Sequence, residues 1–162
     1  MNKEQIIESL LVRFENKISN ISESYNITEI TVEASENKSV AKYLYEVHGF
    51  TFLTDLCGVH YPNQSLQLGV VYHFHNLLLN IRLRMKCFLE YENPCIETLS
   101  DLYSAANWME RETYDFYGIK FTNHPDLTRI LNVEYLDYFP LRKEYPLEDP
   151  TREDKTDKYF GR

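Results

Sequence analysis

Between positions 50 and 89 the chain carries three runs rich in aromatic and branched residues, Phe50 to Tyr61, Leu66 to His75 and Leu77 to Leu89. In the third, Ile81, Leu83 and Met85 alternate with Arg82, Arg84 and Lys86. A period of two sends alternate side chains to opposite sides of a strand, so the run predicts a sheet with one dry face and one basic face, solvated or turned to a partner. Gly58 and the Pro62-Asn63 pair mark a loop between the first two strands, and His75-Asn76 marks a tight turn between the next two. The meander is antiparallel, and its dry face requires a covering layer.

The flanking segments supply that layer. From Glu4 to Ile18, apolar Ile6, Ile7, Leu10, Leu11, Phe14 and Ile18 form one stripe at helical spacing. The pattern then turns to period two, with Thr28, Ile30 and Val32 opposed by Glu29, Thr31 and Glu33, and Tyr25-Asn26 offers the turn of a hairpin. Ser35 or Asn37 can cap a second helix carrying Val40, Tyr43, Leu44 and Val47 and ended by Gly49. Thr98 with Asp101, and Asn107 with Glu110, make two further cap-like starts, predicting helices over Leu99–Ser104 and Trp108–Tyr117, the second stopped by Gly118. The expected fold is an α+β domain of two layers over 1–118, ordered helix–β–β–helix–β–β–β–helices on a mixed or antiparallel sheet. An extended irregular C-terminal arm follows over 119–162, ending in the charged tail Leu147–Arg162.

At 162 residues the chain is long enough to bury a core of its own. A net charge of -8 argues against a nucleic-acid partner, which needs clustered cations to displace counterions. The longest stretch without charge, Leu56 to Ile81, is interrupted by Pro62, Asn63, Gln64, Ser65 and histidines and cannot cross a bilayer as a helix. No secretory or presequence pattern opens the chain, so the cytoplasm is the expected compartment. Cys57, Cys87 and Cys95 lack C-x-x-C spacing, which speaks against a disulfide framework or an iron–sulfur site.

The most informative run is Glu110 to Leu147. It sets Tyr and Phe beside Arg, Glu and Asp, with Pro125, Pro140 and Pro146 holding the backbone extended. That mixture suits a surface meant to be covered, the chain's 13 tyrosines being more than a core needs. Arg129, Arg142 and Lys143 among Phe121, Tyr135, Tyr138, Phe139 and Tyr145 supply the residue types that dominate interface energetics. The ordered sub-motifs Glu110-Arg111-Glu112, Asp115-Phe116-Tyr117-Gly118-Ile119, His124-Pro125-Asp126-Leu127, Arg129-Ile130-Leu131 and Pro140-Leu141-Arg142-Lys143-Glu144-Tyr145-Pro146-Leu147 resemble the signature of the 30 kDa subunit of respiratory NADH:quinone oxidoreductase (complex I).

Other chemistries fare worse. His73 and His75 share one face of a strand, and His60 with Cys57 sits on its neighbour, which would be the ligand set of a small stand-alone metalloenzyme. A hydrogen-bonded histidine on an aromatic strand explains the same residues. Glu110 and Glu112 point about 200° apart on a helix, so they form no carboxylate pair, and Arg111 with Asp115 at i, i+4 is the expected ion pair. The five glycines are too far apart for a phosphate loop or a dinucleotide turn, and no nucleophile elbow is present.

The resemblance implies a non-catalytic subunit without cofactor, flavin and iron–sulfur clusters residing in partner subunits. It further implies a place in the hydrophilic arm at the cytoplasmic side of the bacterial inner membrane, the C-terminal arm docking on the 49 kDa subunit near the quinone module and beside neighbouring iron–sulfur subunits. Carried over by position, the docking residues are Glu110, Arg111, Glu112, Asp115, His124, Asp126, Arg129, Arg142, Lys143 and Tyr145. The equivalent subunit of a membrane-bound nickel–iron hydrogenase or formate hydrogenlyase is the alternative. Thr128 stands where the family has a basic residue or proline, and Tyr138-Phe139 where it has Gly-His, so a turn is expected to give way to aromatic packing. Residues from Ile119 onward are expected to owe their order to a partner.

Overall fold

The computed structural model describes residues 2–145, so the expected tail from Leu147 onward lies outside the described residues. Helix α1 (Lys3–Phe14) starts at a reciprocal cap: the Asn2 side chain accepts from the Gln5 amide at 2.9 Å, and Gln5 Oε1 accepts from the Asn2 amide at 3.0 Å. It stops at Phe14, not Ile18, because Glu15 takes a φ of 36° and a short 3₁₀ turn carries the chain into strand β1 (Ile18–Ser24). β2 (Ile27–Val32) returns antiparallel after a turn in which Tyr25 and Asn26 have φ of 52° and 63°, the twist a two-residue hairpin requires.

Helix α2 (Asn37–Glu46) uses neither cap expected for it. Asn37 is the first helical residue and turns inward, donating Nδ2 to the Glu97 carbonyl at 2.7 Å. The meander follows as β3 (Phe52–His60), β4 (Leu68–Asn76) and β5 (Ile81–Leu89). The last turn lies at 77–80 rather than at His75-Asn76: Asn76 ends β4, its Oδ1 accepting from the Leu79 amide at 2.9 Å, and Asn80 closes the turn at a φ of 52°. Strand β6 (Cys95–Glu97), helix α3 (Ala106–Tyr117) and strand β7 (Lys120–Thr122) complete the helices and strands, and residues 123–145 follow as turns and irregular chain.

The strands form one mixed sheet in the order β1-β2-β5-β4-β3, in which β2 and β5 run parallel, and β6 and β7 make a separate parallel pair. Ile30 of β2, Leu83 and Met85 of β5, Val70, Tyr72 and Phe74 of β4 and Leu56 of β3 form the dry face, and they share a core with Ile6, Leu10, Val40 and Leu44 of the helices. This is the α+β architecture expected. On the other face, the β2–β5 register sets Glu29 beside Arg84, and the Glu29 carboxylate takes Arg84 at 3.2 Å and Lys86 at 2.7 Å. The expected basic face is therefore partly neutralised from within, Arg82 remaining exposed.

Two expectations around α3 fail for one reason. Residues 99–104 form a turn closed by the amides of Leu102 and Tyr103 on the Leu99 carbonyl, at 3.0 and 2.9 Å, not a helix. α3 begins at Ala106 with no side-chain cap, so Asn107 does not start it. Both cap-like patterns are pre-empted by Glu110, whose carboxylate reaches back to Thr98 Oγ1 at 2.5 Å and to the Leu99 amide at 2.7 Å. A side chain expected to support its own helix instead pins the preceding turn.

Candidate functional site

Glu110 and Asp115, both fully buried on α3, organise the segments on either side of it, Glu110 the turn before and Asp115 the chain after. Burial raises the Glu110 carboxyl to about 7, against the lowering effect of the Thr98 and Leu99 hydrogen bonds. His124 lies 3.9 Å from it, with Nε2 donating to the Asn107 carbonyl at 3.0 Å and Nδ1 accepting from the Asp126 amide at 3.1 Å. Both ring nitrogens of His124 therefore serve the backbone.

Asp115 is in the opposite position. Burial by itself would raise it, but the amides of Asn132 and Leu131, the Arg129 guanidinium and the Asn132 side chain hold it far below the usual carboxylate range. Oδ2 accepts from the amides of Ile130, Leu131 and Asn132 at 3.1, 2.8 and 2.9 Å, while Oδ1 accepts from Arg129 at 2.7 Å and Asn132 Nδ2 at 3.1 Å. Three successive amides on one carboxylate fold the chain around it. Arg129 also donates to the carbonyls of Asp115, Leu136 and Tyr138 at 2.9, 2.7 and 3.1 Å, so its donors tie 129–138 to α3.

The ion pair expected between Arg111 and Asp115 is absent, since Arg129 takes Asp115 first. Arg111 instead donates Nε to the Thr128 carbonyl at 3.1 Å and Nη2 to the Arg129 carbonyl at 3.0 Å, and lies over the Trp108 ring. Arg142 donates Nε to the Tyr117 carbonyl at 2.8 Å between the rings of Tyr91 and Phe139, with centroids at 4.7 and 4.8 Å. The Lys143 amide donates to His60 Nδ1 at 2.9 Å, Glu144 accepts from the Tyr91 hydroxyl, and the Tyr145 ring packs on Tyr138 at 4.9 Å. The described part of the arm is thus laid against the domain.

Its beginning is part of the core. Ile119 and Phe121 are buried, and β7 pairs with β6, so order does not stop at Gly118. Gly118 ends α3 at a φ of 74°, and a Cβ there would meet the Phe139 ring at 2.5 Å. Phe139 thus supplies aromatic packing against the end of α3. Gly58 of β3 has the same office for Tyr117, whose ring occupies the place of a side chain.

Of the ten residues assigned to docking from sequence, Glu110, Asp115, His124, Arg129 and Arg142 are engaged inside the chain, as is Arg111 through its carbonyl contacts. Glu112, Asp126, Lys143 and Tyr145 face outward. Exposed beside them are Trp108, Leu131 and Tyr135, at 60%, 66% and 86%, with Ile130 and Val133. Thr98, Tyr91 and His60 were not foreseen as anchors, and no local spacing signals them: their partners are 12, 53 and 83 residues away.

The histidine cluster does not form. Register sets His73 opposite Asp55 and His60 opposite Leu68, so His60 is five residues along β3 from the level of His73 and on the other face. Among the described residues no group of three or more His, Cys, Asp or Glu side chains is placed to hold a metal ion. Glu112, Asp55 and Cys57 line a cleft of about 200 Å³ with Tyr117 and Leu141.

Known proteins resemble this chain in sequence and in fold. The family model described as "Respiratory-chain NADH dehydrogenase, 30 Kd subunit" matches residues 30–151. An NADH-quinone oxidoreductase subunit of Citrifermentans bemidjiense is 37% identical over 147 residues, covering 91% of each chain. Its counterpart in Geobacter sulfurreducens is 35% identical over 142 residues, 87% of this chain and 88% of its own. The solved trypsin-resistant fragment (1-134) of Nqo5 superimposes with a TM-score of 0.69 at 27% identity, over 78% of this chain and all of that fragment. A chain of the archaeal membrane-bound sulfane sulfur reductase, at 22% identity and a TM-score of 0.75 over 89% of this chain and 85% of its own, shares the fold. The chain belongs to the family of the 30 kDa subunit of respiratory-chain NADH dehydrogenase.

Proposed function

We propose that the chain is a structural subunit of the hydrophilic arm of NADH:quinone oxidoreductase, with no active site and no cofactor of its own, and that it docks on the 49 kDa subunit near the quinone module. Family membership supports the subunit role. The observation that carries the docking reading is the exposed apolar strip of Ile130, Leu131, Val133 and Tyr135, on a segment that Asp115 and Arg129 tie to α3, together with the exposed Trp108 of α3 itself. Large aromatic and aliphatic side chains on a preorganised scaffold bind without the entropy loss of ordering a free arm.

Partner counter-charges are not needed at Asp115, because Arg129 of the same chain supplies one. The contacts left for a partner are the strip and the outward Glu112, Asp126, Lys143 and Tyr145. No helix among the described residues is long and apolar enough to cross a membrane. The place proposed for the chain is the cytoplasmic face of the inner membrane, where partner subunits would hold it. Trp108→Glu combined with Leu131→Glu should leave the free chain's melting temperature within a few degrees of the parent and abolish the intact enzyme on a native gel. Normal amounts of intact enzyme would refute the docking reading.

A further inference from the structure

The apolar stripe of α1 is wider than the sheet beneath it. Ile6 and Leu10 enter the core, whereas Leu11 keeps 38% of its surface and Ile7 is only partly buried. Together with Ile21 of β1, 40% exposed, Ile7 and Leu11 line a groove of about 580 Å³ at the sheet's outer edge. Thr28 lines the same groove, and its hydroxyl, though buried, makes no hydrogen bond among the described residues. A buried hydroxyl without a partner is costly, and a small opening of the groove floor would let an occupant supply the missing bond.

The rim is acidic. Lys3 is tied to Glu23 at 2.7 Å, so the remaining rim charges, Glu4 and Glu8, are both negative. β1 is the terminal strand of the sheet and pairs with β2 alone, which leaves outward backbone groups along Ser22–Ser24. We propose that this groove takes an extended segment of a partner polypeptide in which apolar residues stand between Lys or Arg. Apolar side chains would cover Ile7, Leu11 and Ile21, cations would meet Glu4 and Glu8, and a backbone group would satisfy Thr28.

Each competing occupant meets an obstacle. A second copy brings the same acidic rim against itself, and the irregularity between Ser19 and Ser22 interrupts the edge that two copies would share. An anionic membrane surface is repelled by that rim and by the chain's net charge of -8. The groove lies at the opposite edge from β3 and α3, and α1 and β1 precede the residues matched by the family model. It is therefore independent of the strip proposed for the 49 kDa subunit.

The test uses the full chain, labelled with nitrogen-15, and the synthetic nonapeptide Lys-Leu-Arg-Ile-Lys-Val-Arg-Leu-Lys, beside its counterpart with Glu at every Lys and Arg. The basic peptide should give saturable amide shifts confined to α1, β1 and Thr28, and the acidic one none. Leu11→Asp and Ile21→Asp should each weaken binding at least tenfold with the melting temperature preserved, and Thr28→Val should weaken it severalfold. Leu11→Asp is decisive, since indiscriminate attraction of a cationic peptide would grow with the added negative charge. The proposal is overturned by absence of saturable shifts, by equal binding of the acidic peptide, by unchanged or tighter binding to Leu11→Asp, or by sedimentation showing that the chain pairs with itself through this edge.

Discussion

The two edges of the five-stranded sheet are finished in opposite ways. At β3, helix α3 and residues 119–145 close over the edge: Tyr117 fills the space above Gly58, and the Lys143 amide reaches His60. At β1, four strand spacings and roughly 19 Å away, no further strand among the described residues pairs with the edge. The covered edge carries most of the charged motif, yet Asp115 and Arg129 pair inside the chain and Arg111 and Arg142 are spent on its carbonyls. The open edge carries few signature residues and leaves apolar and acidic groups unmatched. Charged residues in a dense motif can therefore be the scaffold, while the groups free for recognition stand next to them or elsewhere.

The contrast breaks first at Asp115. Asp115→Ala leaves Arg129 buried without its counter-charge and three amides without an acceptor, and should cost roughly 3–5 kcal/mol in urea denaturation. A loss under 1 kcal/mol would show that the covered edge does not depend on this carboxylate.

Glu110 gives the next effect, and its sign is opposite to that of a carboxylate held ionised. With its folded pKa raised to about 7, the native state retains a proton that the unfolded chain releases near the ordinary Glu value. Stability from this group is therefore undiminished below the unfolded value and falls as pH rises toward 7, by roughly 3 kcal/mol between pH 4.5 and 8. Glu110→Gln, which can still accept from Leu99 and can donate to Thr98, should remove that fall. An unchanged pH profile of thermal or urea unfolding in the variant would assign the dependence to other groups. Asp115 contributes in the reverse direction: its stability is present above the unfolded Asp value and is lost as pH drops through its depressed folded value.

Gly118→Ala should cost roughly 2 kcal/mol, from the positive φ and the overlap with Phe139, and should speed amide exchange in residues 139–145 more than in β4. The smallest effect is expected at the open edge, where Ile21→Ser should change stability by less than about 0.5 kcal/mol. A cost above 1 kcal/mol there would mean that the β1 edge is as tightly packed as the β3 edge.

Periodicity made much of this fold legible. The alternation of Ile81, Leu83 and Met85 with Arg82, Arg84 and Lys86, the stripe on α1 as far as Phe14 and the Tyr25-Asn26 turn each depend on neighbours within a few residues, and each appears where expected. The misread segments involve distant partners. Thr98 and Leu99 look like a helix start until the Glu110 carboxylate takes them, and Arg111 looks like the partner of Asp115 until Arg129 arrives from 14 residues beyond that carboxylate. Residues 123–145 lack any period because carboxylate-to-amide and guanidinium-to-carbonyl bonds, rather than repeating apolar contacts, set their path.

The amino-acid sequence by itself determined the α+β class, the strands and helices with strong local period, and the family, because these rest on local patterning and on motifs kept in order. Only the tertiary structure decided which motif residues remain outward. A buried carboxylate takes whichever donors the folded chain brings within hydrogen-bond reach, and donors such as Arg129, Leu131 and Asn132 become neighbours of Asp115 only once the chain has turned back over α3.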